Sequence, residues 1–526
     1  MGQKTKVLMI GIDAADQRLI RLWARDGLLP TFKALLEQAT WGITNNPVGF
    51  YVGAVWPSFS TGLSPIRHGR YCYTQLGLGS YRTFKTQVTD VKGEPFWKTL
   101  SDAGRRVGII DVPKTFLTPN LNGIQIVDWG THDPDFIGRL YTYPETLAAD
   151  IENQFGRDPV GDCNTISRTV EGYRQFRDNL IHRIEAKTAL SKHFLNQENW
   201  DLFLTVFSES HCVGHQCWNL HDPHHPRHQS DVVQLIGDPL LAVYQALDKA
   251  IGELLAEVNP DTHVFILASH GMGPHYDGTF LLDDILCRLE NIKVSAAKQQ
   301  FAKVLNTNLE EAAGLGWLLK PLKQTVWSPL RDRFWKSDKP LRKAMAEPDA
   351  SQRKCFTVPN NDVYGAIRIN LVGREPNGQI YPGAEYDHFC EQLTSDLTEI
   401  INLDTGKPLV KQVLRTAELY QGECLDTFPD LLIEWNREKP IQRVSSPKIG
   451  MLEKTFAGVR TGDHQPNGMF FAVSSAMQPG QLEHGISVTD FAPTIADLLE
   501  VPLPDVDGQS ILDQHRSMSN PHYSLT

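Results

Sequence analysis

VLMIGID, residues 7–13, is a run of apolar residues and one glycine that stops abruptly at Asp13. An unbroken apolar run of this length between polar residues reads as a strand buried on both faces, as in parallel sheets. Two other runs repeat the device. LFLTVF (202–207) gives way to Ser-Glu-Ser and then to His211 and His215; HVFILA (263–268) gives way to Ser269 and His270. In open α/β sheets, ligands bind beyond the carboxyl ends of the strands. One acid and several histidines delivered to such ends from distant parts of the chain point to a metal-centred site.

Outward from these runs, strand and helix alternate. An amphipathic helix is expected from about Gln17 to Glu37. PFWKTLSDAGRRVGIIDVP (95–113) reads as helix, Gly104 stop and strand. Helices are expected over 176–198 and 238–258. The segments YGAIRINL (364–371), DLLIEW (430–435) and MFFAVS (469–474) read as further core strands, and VTDFAPTIADLL (488–499) as a closing helix with Pro493 in its first turns. The expected class is therefore α/β, a mainly parallel sheet with helices on both faces. Residues 281–355 break the rhythm with basic, Trp-containing stretches such as GLGWLLKPLKQTVW and RDRFWKSDKPLRKAM. They are read as a cap insertion, which makes 1–280 and 356–526 one discontinuous core domain.

Composition narrows the function. The chain has 526 residues, 41% hydrophobic and 21% charged, with a net charge of −11. That is ordinary globular composition. The acidic balance argues against a nucleic-acid polymer as partner but leaves room for a small phosphorylated substrate held by a local cationic site. No apolar stretch reaches the roughly 20 residues of a membrane helix and no secretory signal is visible, so a cytoplasmic location is expected. The eight cysteines are scattered without a CxxC pair, which reads as reduced thiols. Nothing in the pattern sets the oligomeric state.

His211 and His215 form HxxxH, and on a helix residues four apart share a face. Zinc favours such nitrogen donors, and catalytic sites pair three protein ligands with an open position. His464, in RTGDHQPNG, is the natural third ligand; alone it would read as a turn histidine beside Asp463. Asp13 offers oxygen or a helix N-cap. His270 offers nitrogen or a backbone-bonded buried ring. Cys212 and Cys217 flank His215 as minor ligand candidates. HDPHHPRH (221–228) reads as a polar turn set by Pro223 and Pro226, or as a substrate-facing loop.

Four segments together resemble the alkaline phosphatase superfamily, in particular its type I phosphodiesterase/nucleotide pyrophosphatase-like family. They are IGIDAAD; WPSFSTGLSPIRHGRY; ASHGMGP; and GDHQPNG with DFAPTIADLLEVPLPDVDGQSIL. The resemblance implies an alkaline phosphatase-like core and a metal-dependent phosphoric ester hydrolase, acting on a diester or pyrophosphate. It implies one or two divalent ions, Zn2+ first and Mn2+ next. His215 and His464 would hold one ion, Asp13 and His270 another, with a Thr or Ser nucleophile.

Three positions depart from the family pattern. Counting back from Thr61-Gly62 places the nucleophile at Val52, which has no nucleophilic atom; the expected Asp before His270 is Ser269; and the expected Asp four residues before His215 is His211. Three readings stay open. A register slip would make Tyr51 or Ser58 the nucleophile. A three-histidine site could activate water directly. Or the chain is a catalytically impaired metal- or ligand-binding member of the fold. Lys114 and Arg67 are candidates to bind the non-bridging oxygens. No Cys-x-Pro-x-Arg sulfatase nucleophile lies near residue 52.

Overall fold

The computed structural model describes residues 6–132, 140–292, 350–360 and 363–519. The three apolar runs lie side by side in it. Val7–Ile12 pairs in parallel with Leu202–Phe207 on one side and His263–Ala268 on the other. Val107–Ile110 and Gly123–Val127 continue the parallel order, and Tyr141–Tyr143 closes that edge antiparallel. Beyond His263–Ala268, Gly468–Val473 and Thr40–Asn45 run antiparallel. Among the described residues the sheet has ten strands, including two short ones against Thr40–Asn45.

Side chains along a strand alternate between faces, and the core divides accordingly. Leu8, Ile10 and Ile12 join the helices Gln17–Arg25, Pro30–Gln38, Val170–Leu195, Glu209–His221 and Pro239–Glu257 in one apolar cluster. Val7 and Met9 join Tyr51–Thr61, Phe96–Asp102 and Phe491–Leu498 in the other. This is the expected mainly parallel sheet with helices on both faces.

Register positions the site. Ile12 is level with Phe207 and with Ala268. Asp13, Ser208 and Ser269 therefore leave the sheet together at its carboxyl edge. Asp13 N donates to Phe207 O at 2.8 Å and Ser269 N to Ile12 O at 3.0 Å.

Several expectations are corrected. The single helix over 17–37 is two, Gln17–Arg25 and Pro30–Gln38, because Gly27 takes φ 78° and Pro30 starts the next helix. Tyr364–Ile369 and Leu431–Trp435 do not return to the central sheet. They form a separate four-stranded antiparallel sheet with Cys355–Thr357 and Val410–Arg415. This sheet shares its own apolar cluster with the helices Thr279–Leu289 and Ala384–Thr398. An apolar run announces a strand but not which sheet it joins. The two Trp-containing basic stretches of the cap insertion lie outside the described residues.

Candidate metal centre

Five of the expected residues converge at the carboxyl edge, all 8% exposed or less: Asp13, His211, His215, His270 and His464. The rings of His211, His215 and His464 lie 4.6–4.8 Å apart, centroid to centroid. His211 and His215 share a face of Glu209–His221. His464 arrives on the short strand Gly462–Gln465, which pairs with Gly271–Pro274 directly after His270.

The hydrogen bonds fix the tautomers. Burial opposes ionisation of Asp13, but His211, then His270 and the Trp56 indole, hold its carboxyl well below the usual range. An ionised carboxylate only accepts. It takes Trp56 Nε1–H at 2.8 Å, Ser269 Oγ–H at 3.1 Å and His211 Nδ1–H at 2.5 Å. With its hydroxyl proton spent, Ser269 Oγ accepts from His270 Nδ1 at 2.9 Å, and His270 Nε2 then accepts from His464 Nδ1 at 3.0 Å. His215 Nδ1 donates to the Gly462 carbonyl at 2.9 Å. In neutral rings every Nδ1 of the trio is thus a donor and every Nε2 is bare. His211 Nε2 and His215 Nε2 face each other at 3.0 Å. Two bare nitrogens at that separation need a proton or a metal cation between them. A ligating histidine held through its other nitrogen by a carboxylate or carbonyl is the usual outer arrangement of such a centre.

The donor set around His215 is close enough to share one cation: among the described residues, His132, His211 and His215, and likewise His215, Asp463 and His464, each place one donor atom within 4.8 Å of the others. It does not fit a second at Asp13 and His270. Both oxygens of Asp13 are engaged, both nitrogens of His270 are engaged, and Val52 and Ser269 supply no strong donor. Val52 sits in the first turn of Tyr51–Thr61. Tyr51 packs edge-on to His270 at 5.9 Å, and burial pushes its phenol well above the usual value, so it stays protonated. Ser58 Oγ lies 3.0 Å from His68 Nε2, while His68 Nδ1 accepts from Arg70 N at 3.2 Å. His68 Nε2 is therefore the protonated nitrogen and cannot act as a base toward Ser58.

Sequence reading missed His132. Its ring stacks on His211 at 3.9 Å, and its Nδ1 meets Cys163 Sγ at 3.1 Å and Cys212 Sγ at 3.3 Å. A buried ion pair anchors its loop. Asp111 accepts from Trp129 N at 2.8 Å and Gly130 N at 2.9 Å and pairs with Lys187 at 2.8 Å; removing one partner of such a pair costs about 3–5 kcal/mol. The signal that could have found His132 is the short strand Gly123–Val127 that precedes it. Arg460 was also missed, although it lies close enough to help depress the protonation of His132, His215 and His464. Lys114 acts on His132 in the same direction. Arg67 is committed elsewhere, to Asp505 at 2.7 Å and Asp507 at 2.8 Å. In the 221–228 turn, His221 pairs with Asp238 at 2.6 Å and His228 with the Asn219 carbonyl at 2.8 Å. Burial raises the Cys217 thiol far above its usual value.

These buried rings make the metal-free protein acid-labile. Burial, then Arg70, pushes His68 down to about 3; burial pushes His270 down to about 4. Both folded values lie below the unfolded 6.5, so between them the unfolded chain binds more protons. Their contribution to stability is complete above pH 6.5 and is lost as pH falls toward 3–4. Each ring adds a slope of up to about 1.4 kcal/mol per pH unit. Denaturant unfolding of chelated protein at pH 7, 6 and 5 should show falling stability; a flat profile would contradict the neutral-histidine assignment.

The profile of the type I phosphodiesterase / nucleotide pyrophosphatase family matches residues 7–364. No curated protein matches the chain in sequence. Phosphonoacetate hydrolase from Sinorhizobium meliloti 1021, solved with phosphonoacetate and with phosphonoformate, is 12% identical, with 95% of this chain and 96% of that chain covered and a TM-score of 0.53. Murine ectonucleotide pyrophosphatase / phosphodiesterase 5 is 12% identical, with 96% and 98% covered and a TM-score of 0.49. At that identity the likeness to the hydrolase is one of fold. Among the described residues, no helix is long and apolar enough to cross a membrane.

Proposed function

Because the chain belongs to the type I phosphodiesterase / nucleotide pyrophosphatase family, and so to the phosphoric ester hydrolases, we propose that it hydrolyses a small phosphate diester or pyrophosphate at a single three-histidine centre. The observation that carries this is the facing pair of Nε2 atoms of His211 and His215, 3.0 Å apart, with His464 beside them. These three residues would hold the cation, which supplies Lewis acidity to the phosphoryl group and to an attacking water. Zinc suits three imidazoles best; manganese is the alternative.

The chain's own residues do the rest. Asp13 orients His211 through Nδ1, and the Ser269–His270 pair orients His464. Arg460 and Lys114 face the phosphate oxygens and draw an anion to the site. Tyr51, kept protonated, serves as a hydrogen-bond donor. With valine at position 52, and Ser58 held by His68, attack comes from water and no covalent phosphoenzyme forms.

Chelation should remove turnover of bis-p-nitrophenyl phosphate, and zinc or manganese should restore it. Each ligating imidazole must be unprotonated, and burial holds His215 and His464 neutral well below the usual imidazole value, so restoration should persist at about pH 6 and fail only in stronger acid. A chelated and reloaded preparation with no metal-dependent turnover would leave a metal-binding member of the family without hydrolytic activity.

A further inference from the structure

Beside the three-histidine centre, on the far side of Asp463, lies a second group of donors. Gly271–Pro274 and Gly462–Gln465 form a two-stranded ribbon in which Met272 is level with His464, Gly273 with Asp463 and Pro274 with Gly462. His275 follows the first strand and Asp277 comes two residues later. The ribbon brings Asp463 against His275, while the turn after Pro274 brings Asp277 to its other edge. The side chains of all three are 2–3% exposed.

Each carboxylate has one oxygen on a backbone amide and the other toward the imidazole. Asp277 Oδ1 accepts Thr279 N at 2.8 Å, and Asp463 Oδ1 accepts His464 N at 2.8 Å. Each carboxylate turns Oδ2 toward the imidazole: Asp277 Oδ2 is 3.3 Å from His275 Nδ1, and Asp463 Oδ2 is 3.5 Å from His275 Nε2. A neutral imidazole has one N–H and cannot serve both. His275 Nδ1 has no hydrogen-bond partner although it is buried. One donor atom from each of the three residues lies within 4.8 Å of the other two. Phe456 stacks on the ring at 4.0 Å.

We propose that His275, Asp277 and Asp463 bind a second divalent cation, of the zinc or manganese class that accepts mixed imidazole and carboxylate donors. Asp463 also has an oxygen within 4.8 Å of donor nitrogens of His215 and His464. It stands between the two sites and links them. Where the loss of donors at Val52 and Ser269 removes one cation position, this ribbon supplies another on the opposite flank. The inference goes beyond the hydrolytic reading and does not depend on turnover.

The test is metal stoichiometry on the full chain, titrated with zinc alone and with manganese alone, together with anomalous diffraction from zinc-loaded crystals. Wild-type protein should bind two equivalents. Asp277→Asn should keep the equivalent at the histidine trio and bind the other at least tenfold more weakly. His211→Ala should keep the ribbon equivalent. An anomalous peak among His275, Asp277 and Asp463 supports the site even if none appears at the trio, an outcome that would remove the proposed centre and leave this one. A peak only at the trio overturns it. So does an Asp277→Asn protein with wild-type stoichiometry and affinity, or a wild-type protein in which His275 is a protonated ion-pair partner and no metal enters. If Asp277→Asn fails to fold, the wild-type diffraction map decides alone.

Discussion

Replacing His211 by alanine should lower metal-dependent turnover of bis-p-nitrophenyl phosphate by roughly a thousandfold. The change removes one of the three nitrogens proposed to hold the cation, and such an ion contributes several kcal/mol of charge stabilisation in the transition state, about 1.4 kcal/mol for each power of ten. It also strands Asp13, which loses its 2.5 Å partner while keeping Trp56 and Ser269. A buried carboxylate without its counter-group raises the cost of the folded state. The variant should therefore show weaker metal binding and a lower unfolding midpoint together. Calorimetric metal titration and single-turnover kinetics measure the two effects. If His211→Ala retains wild-type turnover, the trio is not the centre.

Gly462→Ala should have the next largest effect, although it touches neither substrate nor cation. A Cβ at Gly462 would lie 2.1 Å from the Gly214 carbonyl oxygen and 3.0 Å from Trp218 Cβ. Gly214 is on the helix between His211 and His215, so the obstruction is backbone and cannot rotate away. The strand Gly462–Gln465 must retreat by about 1 Å. It carries His464 with it and withdraws the carbonyl that holds His215 Nδ1. Overpacking of this kind costs about 1–3 kcal/mol or more, and a displacement of about 1 Å at a reacting centre can cost about a hundredfold in rate. Denaturant unfolding and kcat/KM measure the two costs. A Gly462→Ala protein with unchanged activity would show that this contact does not set the geometry of the trio.

Both predictions turn on features that sequence shows unevenly. Asp13, His211, His215, His270 and His464 stand out because each follows an apolar run or a glycine-rich turn, and the family pattern assigns them to metal. Their mutual tautomers are invisible in one dimension, since they depend on Ser269 and Trp56 reaching the same carboxylate from other elements. Arg67 looked free in sequence and is bound by Asp505 and Asp507, which lie more than four hundred residues away. His132 follows a strand too short and too polar at its start to be recognised. His275 and Asp277 carry no motif, and Asp463 stood out only as the neighbour of His464 in GDHQPNG. Only the pairing of two four-residue strands brings them together.

The sequence by itself determined the class of fold, the apolar runs that become the central parallel strands and the identity of the histidines at their ends. Hydrophobic burial is read residue by residue, so a run such as VLMIGID declares its own environment. Tertiary structure alone decided which sheet Tyr364–Ile369 and Leu431–Trp435 would join. It also decided which nitrogen of each imidazole is bare, and that Asp13 is saturated by three donors. Those outcomes depend on strand register and on hydrogen bonds between residues hundreds of positions apart. Such contacts have directional energies that no local pattern encodes.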